Sequence, residues 1–195
     1  ANDLLMPADV DLAAEALAEA DCIVLQLEIP LETVYHTIDL ARSQGVRCIL
    51  NPAPGQPLDL ERIRSVDYLI PNESEAEAIS GVAVDNSEDA AACAAELLDR
   101  GLERVVITLG AQGALVAGAD GTRVVPPFPV EAIDTTGAGD VFHGAFIYAV
   151  LAGWELERSV RFSQAAAAMK CMHLGARAGI PTLDEVKEFL QNRER

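Results

Sequence analysis

Lysine is nearly absent from this chain, and positive charge as a whole is scarce. Only Lys170 and Lys187 among the 14 basic residues are lysines, and the 31 acidic residues leave a formal net charge of −17. A chain this acidic repels other polyanions, such as the nucleic-acid backbone and anionic membrane surfaces. We therefore expect neither a nucleic acid nor a membrane as a partner.

Long apolar runs and paired cysteine motifs are missing as well. No apolar run is long enough to span a bilayer, and no signal peptide is recognisable. The cysteines lie in apolar segments without C-x-x-C spacing, at Cys22, Cys48, Cys93 and Cys171. They predict reduced core thiols rather than a disulfide framework or a zinc site, so we expect a cytoplasmic protein.

The chain alternates between strand-like and helix-like segments. Apolar residues make up 50% of its 195 residues, which is enough for a sizeable core in a single domain over residues 1–195. Predicted strands cover residues 22–27, 47–50, 67–71 and 105–109. Predicted helices cover residues 8–20, 31–44, 74–80, 87–99, 140–152 and 156–173, and a last helix begins at Thr182. This alternation predicts a three-layer α/β/α sandwich with a mostly parallel sheet.

The segment DTTGAGD, Asp134 to Asp140, carries the strongest chemical signal. Gly137, Ala138 and Gly139 are small enough to let backbone N–H groups surround an oxyanion at the positive end of the helix that follows. Asp140 then stands where a general base for phosphoryl transfer would stand. An aspartate cap after a glycine-rich turn explains the same residues, and this segment alone does not decide between the two interpretations.

Five segments together resemble the ribokinase-like (phosphofructokinase-B-type) sugar kinases, in the order in which that family has them. They are NPAPGQPL (51–58), LIPNESEAEAISG (69–81), VVITLGAQGALV (105–116), DTTGAGD (134–140) and GARAGIP (175–181). The resemblance runs from about Ala1 to the C-terminus. It implies transfer of a phosphoryl group from ATP to the primary hydroxyl of a pentose, D-ribose, which would give D-ribose 5-phosphate.

The resemblance also implies roles for the residues that match the family's motifs. Asp140 would be the catalytic base and a sugar ligand, the backbone of Gly137, Ala138 and Gly139 would form the anion hole, and Glu28 would bind the sugar. The positions that match ATP-binding residues are Asn72, Thr108, Leu109, Gly110, Ala111, Gln112, Gly113, Gly139, Asp140 and Gln164. Glu75 would serve Mg²⁺ indirectly.

Structural interpretations remain open for several of these residues. Asn72 and Glu75 have the spacing of a helix cap, Gln164 could be a plain helix-surface residue, and Glu28 an ordinary acid at the end of a strand. Asn51 is expected to form a turn before Pro52.

A monovalent-cation site for K⁺ is the last feature that the resemblance implies. Its ligands would be mostly backbone carbonyl oxygens, at positions matching Asp134, Thr136, Lys170, His173, Gly175 and Gly179. Carbonyl ligands do not depend on side-chain identity, so the side chains of Lys170 and His173 need not take part.

Other phosphate-binding motifs are absent from the sequence. A Walker loop needs a lysine directly after a glycine, and neither lysine follows one. A dinucleotide fingerprint that used Gly137 and Gly139 would need a third glycine where Phe142 stands. Nucleotide binding is therefore expected to depend on backbone amides and a bound cation.

The sequence also lacks parts that the family has. Ribokinase-like kinases begin upstream with a first strand, a pair of glycines in the sugar pocket and a small β-sheet lid, and none of these is in this sequence. We expect a C-terminal portion without the N-terminal strands and lid, with impaired activity and an unpaired sheet edge. A related sugar or nucleoside kinase, or a catalytically silent nucleotide-binding protein, remains an alternative, and pairing into a homodimer is left open.

Overall fold

The computed structural model describes residues 2–193, which divide into two compact units. The first unit contains the described residues up to Leu109 together with Leu115–Val124. The second contains Gly110–Ala114 and the described residues from Val125 onward. The single domain predicted over residues 1–195 stays a prediction.

One sheet holds the strands of the described residues, in the order β1-β2-β3-β4-β5-β6. The strands are β1 (Cys22–Leu25), β2 (Arg47–Leu50), β3 (Tyr68–Leu69), β4 (Val105–Thr108), β5 (Ala114–Gly118) and β6 (Gly121–Val125). The first four pair in parallel, with Ile23 opposite Cys48, Leu50 opposite Leu69, and Leu69 opposite Val105. The prediction of an α/β fold with a mostly parallel sheet is confirmed.

Helices follow most strands, as the sequence pattern predicts. They are α1 (Pro7–Leu12), α2 (Ala14–Ala18), α3 (Leu31–Gln44), α4 (Leu60–Ile63), α5 (Glu73–Ser80), α6 (Ser87–Asp99), α7 (Ala138–Leu151), α8 (Leu156–Cys171) and α9 (Leu183–Arg193). Within the described residues, no helix is both long and apolar enough to cross a membrane.

Three predicted elements differ from the structure, and one of them is the strand predicted over residues 67–71, which covers only Tyr68–Leu69. The helix predicted over residues 8–20 is interrupted at Ala13, whose φ of −98° and ψ of 4° separate α1 from α2. The strand predicted over residues 22–27 ends at Leu25. Its continuation leaves β2, because the amide of Leu27 donates to the carbonyl oxygen of Ala53 in the loop after that strand.

The core of the first unit forms between the sheet and its helices. Val105 and Ile107 of β4 are fully buried, as expected for β-branched residues in a central strand. Val34 and Ile38 of α3 and Leu97 of α6 are also fully buried in this cluster. Cys48 and Cys93 belong to it as free thiols, and burial raises the pKa of the Cys48 thiol to about 12.

The second unit has its own apolar cluster around α7, α8 and α9. Phe162 of α8 packs edge-on against Trp154, with ring centroids 5.2 Å apart, and Phe128 does the same with Phe189 of α9 at 5.4 Å. Ala149, Ala165 and Ala166 let α7 and α8 approach closely within this cluster. These contacts place the N-terminus of α7 on a packed scaffold.

Truncation to alanine should destabilise the protein at a buried leucine and not at an exposed one. Leu97→Ala removes a fully buried side chain, and we expect it to lower the free energy of unfolding by about 2–5 kcal/mol. Leu12→Ala, at a leucine that is 88% exposed, is the control and should change it by less than about 0.5 kcal/mol. Urea unfolding followed by circular dichroism measures both. Equal effects would show that α6 does not pack as described.

Candidate active site

The turn before α7 is tight and depends on glycine. Gly137 is the N-cap of α7 with φ 77° and ψ 7°, a left-handed conformation that side chains disfavour. A Cβ at this position would lie 3.4 Å from both the Cβ and the carbonyl oxygen of Ala176. The turn is therefore packed against the segment after α8.

Backbone amides at this helix N-terminus are available to an anion. In the described residues no acceptor is present for the N–H groups of Gly139 and Asp140, which lie in the first turn of the 14-residue helix α7. The N–H group of Ala138 is already used, because it donates to the carbonyl oxygen of Thr135 at 3.0 Å. The anion hole predicted at Gly137, Ala138 and Gly139 stays a prediction, and in this structure the Ala138 amide takes part in the turn.

Asp140 lines a cleft in the second unit. The cleft has a volume of about 550 Å³ and lies among α7, α8, α9 and the segment from Ala176 to Pro181. Gly137, Tyr148 and Arg177 line it as well. Arg177 belongs to the segment GARAGIP but was not among the predicted site residues, and it supplies positive charge to the cleft that Asp140 lines.

Asp134 is held by hydrogen bonds on every polar group that it has. Its amide donates to the carbonyl oxygen of Cys171 at 3.1 Å, and its own carbonyl oxygen accepts from Nζ of Lys170 at 2.7 Å. Its carboxylate accepts from the amides of Thr136 at 2.9 Å and Gly175 at 2.7 Å. Hydrogen bonds from Thr136, through side chain and backbone, and from Gly175 lower the pKa of this carboxyl group to about 2.

The residues predicted to bind a monovalent cation come together, and the ammonium group of Lys170 lies among them. A Cβ at Gly179 would lie 2.8 Å from the carbonyl oxygen of Lys170 and 2.7 Å from Cβ of His173, so these three positions are in contact. The carbonyl oxygen of Asp134, one of the predicted ligands, already binds the ammonium group of Lys170. The Lys170 side chain, which the prediction did not require to take part, thus contacts one of the predicted ligands.

The glycine-rich loop after β4 and Gln164 meet at one carbonyl oxygen in the second unit. Nε2 of Gln164 donates to the carbonyl oxygen of Val125 at 3.1 Å, and a Cβ at Gly113 would lie 2.3 Å from that same atom. Gln164 is only 8% exposed, so it is not a plain helix-surface residue. Its Oε1 atom is buried, and no hydrogen-bond partner for it is present among the described residues. The loop residues Gly110, Ala111 and Gln112 are exposed.

Asn72 and Glu75 form a reciprocal helix cap in the first unit. Oδ1 of Asn72 accepts from the amide of Glu75 at 2.9 Å, while the Glu75 carboxylate accepts from the amide and Nδ2 of Asn72 at 2.8 and 2.9 Å. A parallel bridge joins Asn72 to Thr108, whose amide donates to the carbonyl oxygen of Pro71. The structure thus brings Asn72, Glu75 and Thr108 together and commits the Glu75 carboxylate to fixing Asn72.

The other predicted residues of the first unit lie near the loop after β2. Glu28 is exposed and follows Leu27, which is bonded to that loop. Within the loop, a Cβ at Gly55 would lie 3.3 Å from Cα of Glu75. Asn51 is 5% exposed, and no hydrogen-bond partner for its Oδ1 is present in the described part of the chain.

Comparison with known proteins finds kinases of sugars. The model of the pfkB family of carbohydrate kinases matches residues 2–183. A ribokinase of Haemophilus influenzae is 41% identical over 192 residues, which are 98% of this chain and 63% of that protein. A deoxyribokinase of Salmonella typhi is 38% identical over 195 residues, 100% of this chain and 64% of that protein.

A solved ribokinase structure is also similar to this chain. The structure of the Arabidopsis thaliana ribokinase, complexed with ribose and ATP, matches with a TM-score of 0.86 and 29% identity. The match covers 93% of this chain and 59% of that one. The chain therefore spans less than two thirds of the length of these relatives.

Alanine at the two positive-φ glycines of the loop after β4 should have different effects. Gly110 and Gly113 have φ values of 51° and 102°, but only at Gly113 would a Cβ meet the backbone. We expect Gly110→Ala to cost about 1–2 kcal/mol of stability from its conformation alone. Gly113→Ala should cost more, because the carbonyl oxygen of Val125 must also move. Urea denaturation of both variants measures the difference, and equal costs would contradict the packing described for Gly113.

Proposed function

Because this chain belongs to the pfkB family of carbohydrate kinases, we propose that it carries the phosphoryl-transfer site of an ATP-dependent kinase whose acceptor is D-ribose. The product would be D-ribose 5-phosphate. The observation that carries the proposal is the first turn of α7, where two amides without acceptors and a carboxylate lie within two consecutive residues, Gly139 and Asp140. Binding of the sugar and ATP is part of the proposal.

Asp140 would act as the general base. Its carboxylate takes the proton of the primary hydroxyl of the sugar as that oxygen forms a bond to the γ-phosphorus of ATP. The bond between this phosphorus and the bridging oxygen breaks, and ADP leaves with the electron pair. The amides of Gly139 and Asp140 stabilise the negative charge on the transferring group, aided by the positive end of α7.

The remaining residues would position the two substrates. Gly113 keeps its loop close to the backbone of Val125, and Gln164 donates to the same carbonyl oxygen, so this backbone is fixed as one wall for the nucleotide. In the first unit, Asn72 and Thr108 would contact ATP, and Glu28 would bind the sugar hydroxyls. The exposure of Glu28, Gly110, Ala111 and Gln112 leaves them accessible to ligands.

Magnesium would accompany the phosphates of ATP, as phosphoryl transfer generally requires. Glu75 would act on it indirectly, because both of its carboxylate oxygens accept hydrogen bonds from Asn72. Potassium was the third cofactor predicted from the sequence. At its predicted site, the ammonium group of Lys170 is bonded to the carbonyl oxygen of Asp134.

A second sugar is an alternative acceptor. The deoxyribokinase of Salmonella typhi is 38% identical over the whole of this chain, close to the value for the ribokinase of Haemophilus influenzae. 2-Deoxy-D-ribose is therefore the alternative acceptor, and it leaves the assignment of Asp140 unchanged. The ratio of kcat/KM for the two sugars decides between them.

Replacement of the base tests the proposal. In the natural gene product that contains this chain, Asp140→Asn should lower kcat about 10²–10⁴-fold, the usual contribution of a general base, while ATP binding stays nearly intact. A coupled assay for ADP measures kcat, and calorimetry measures nucleotide binding.

The matched control is Asp120→Asn, which makes the same change at the exposed turn between β5 and β6 and should leave kcat unchanged. If Asp140→Asn retained a near-normal kcat, Asp140 would not be the base.

A further inference from the structure

Lys170 is a fully buried cation in a chain with very few lysines. The chain has only two, and the side chain of Lys170 is 0% exposed in the last turn of α8. Its Nζ atom lies 2.7 Å from the carbonyl oxygen of Asp134. A buried ammonium group is costly unless fixed dipoles or a counter-charge compensate it, so its position requires an explanation.

We propose that the ammonium group of Lys170 takes the place of the monovalent cation that the family resemblance implies, so that this protein does not require potassium. The ammonium group is a compact, single positive charge that binds oxygen atoms, as a potassium ion is. It is bonded to the carbonyl oxygen of Asp134, the first of the predicted cation ligands. The cation is therefore part of the chain itself.

The surroundings of Lys170 compensate its charge in two ways. The Asp134 carboxylate supplies a negative charge on the same residue as the acceptor carbonyl oxygen, and the amides of Thr136 and Gly175 hold it in place. Lys170 also lies in the last turn of the 16-residue helix α8, where the partial negative charge of the helix end favours a cation.

Other carbonyl oxygens of the predicted cation site are already used inside the protein. The carbonyl oxygen of Lys170 accepts from the amide of His173 at 3.1 Å and is packed against Gly179. The neighbouring carbonyl oxygen of Cys171 accepts from the amides of Ile133 and Asp134 at 2.8 and 3.1 Å. Of the six predicted ligand residues, Asp134 and Lys170 thus have carbonyl oxygens that already accept hydrogen bonds within the chain.

The type of basic residue supports the same inference. Twelve of the 14 basic residues of this chain are arginines, yet the one that is buried here is a lysine. A guanidinium group is planar and presents five donors, so it cannot stand in for a spherical ion, whereas an ammonium group can.

Lys170 is linked to the proposed catalytic turn by a short stretch of backbone. Asp134 is three residues from Gly137, and Thr135 between them accepts the hydrogen bond of the Ala138 amide. A cation that fixes Asp134 therefore fixes the start of α7. We also expect turnover to be independent of potassium, and this expectation rests on the proposed function. The replacement of the ion by Lys170 does not depend on the proposed function.

Thermal unfolding in different salts tests the replacement without ATP or sugar. The Tm of the natural gene product is measured in KCl, NaCl and tetramethylammonium chloride at one ionic strength. Wild type should show no rise that is specific to K⁺. Lys170→Ala should lose several degrees in the tetramethylammonium salt and recover part of the loss in KCl, because removal of the side chain frees the carbonyl oxygen of Asp134.

Two further variants serve as controls. Lys170→Met keeps most of the length without the charge, so it should be destabilised and K⁺ should not restore it. Lys187→Ala removes the same charge at a site that is 50% exposed and 3.8 Å from Asp184, and it should change Tm little in any salt.

Either of two results would overturn the inference. One is a K⁺-specific rise in the Tm of wild type, which would mean that a potassium ion binds beside Lys170. The other is a Lys170→Ala variant that is as stable as wild type, or that no monovalent cation restores. The measurement on wild type needs no variant, so it tests the replacement of the ion even if Lys170→Ala fails to fold. Because no readout involves turnover, failure of the kinase proposal would leave this result intact.

Discussion

The second unit is organised around the fixed backbone of Asp134. Its amide is bonded to the end of α8, its carbonyl oxygen to the Lys170 ammonium group, and its carboxylate to the amides of Thr136 and Gly175. A residue held at all four of its polar atoms fixes the direction of the chain that leaves it. That chain reaches the N-cap Gly137 within three residues, so the orientation of the free amides in α7 depends on Asp134.

The proposed anion site at the start of α7 lies in a strongly acidic protein. With a net charge of −17 the chain as a whole repels phosphates, so attraction has to be local. The N-terminus of α7 supplies two amides and the positive end of a helix dipole, and Arg177 lines the same cleft. The buried Lys170 contributes by holding the backbone rather than by contact with the ligand. Of the few positive charges in this protein, the buried one at Lys170 is bonded to the backbone of Asp134.

Local patterns predicted much of this structure from the sequence. The predicted helix over residues 31–44 and the predicted strand over residues 47–50 match α3 and β2, because their apolar spacing and terminal residues agree. Asn86 caps α6, because its side chain accepts from the amides of Glu88 and Asp89. Long-range contacts could not be predicted from local patterns. Gln164 donates to the carbonyl oxygen of Val125, 39 positions earlier in the chain, and Lys170 donates to that of Asp134, 36 positions earlier. The hydrogen bond from the Ala138 amide to the carbonyl oxygen of Thr135 could not be predicted either, because it depends on the exact geometry of the turn.

The central claim is that a sugar hydroxyl accepts the phosphoryl group at Asp140. The most direct measurement is phosphorus NMR of the products when the natural gene product is incubated with ATP, magnesium and D-ribose. The account predicts ADP and one new phosphate ester on the primary hydroxyl of the sugar, with ADP formation that depends on the sugar. Release of free phosphate at the same rate with and without a pentose would contradict it.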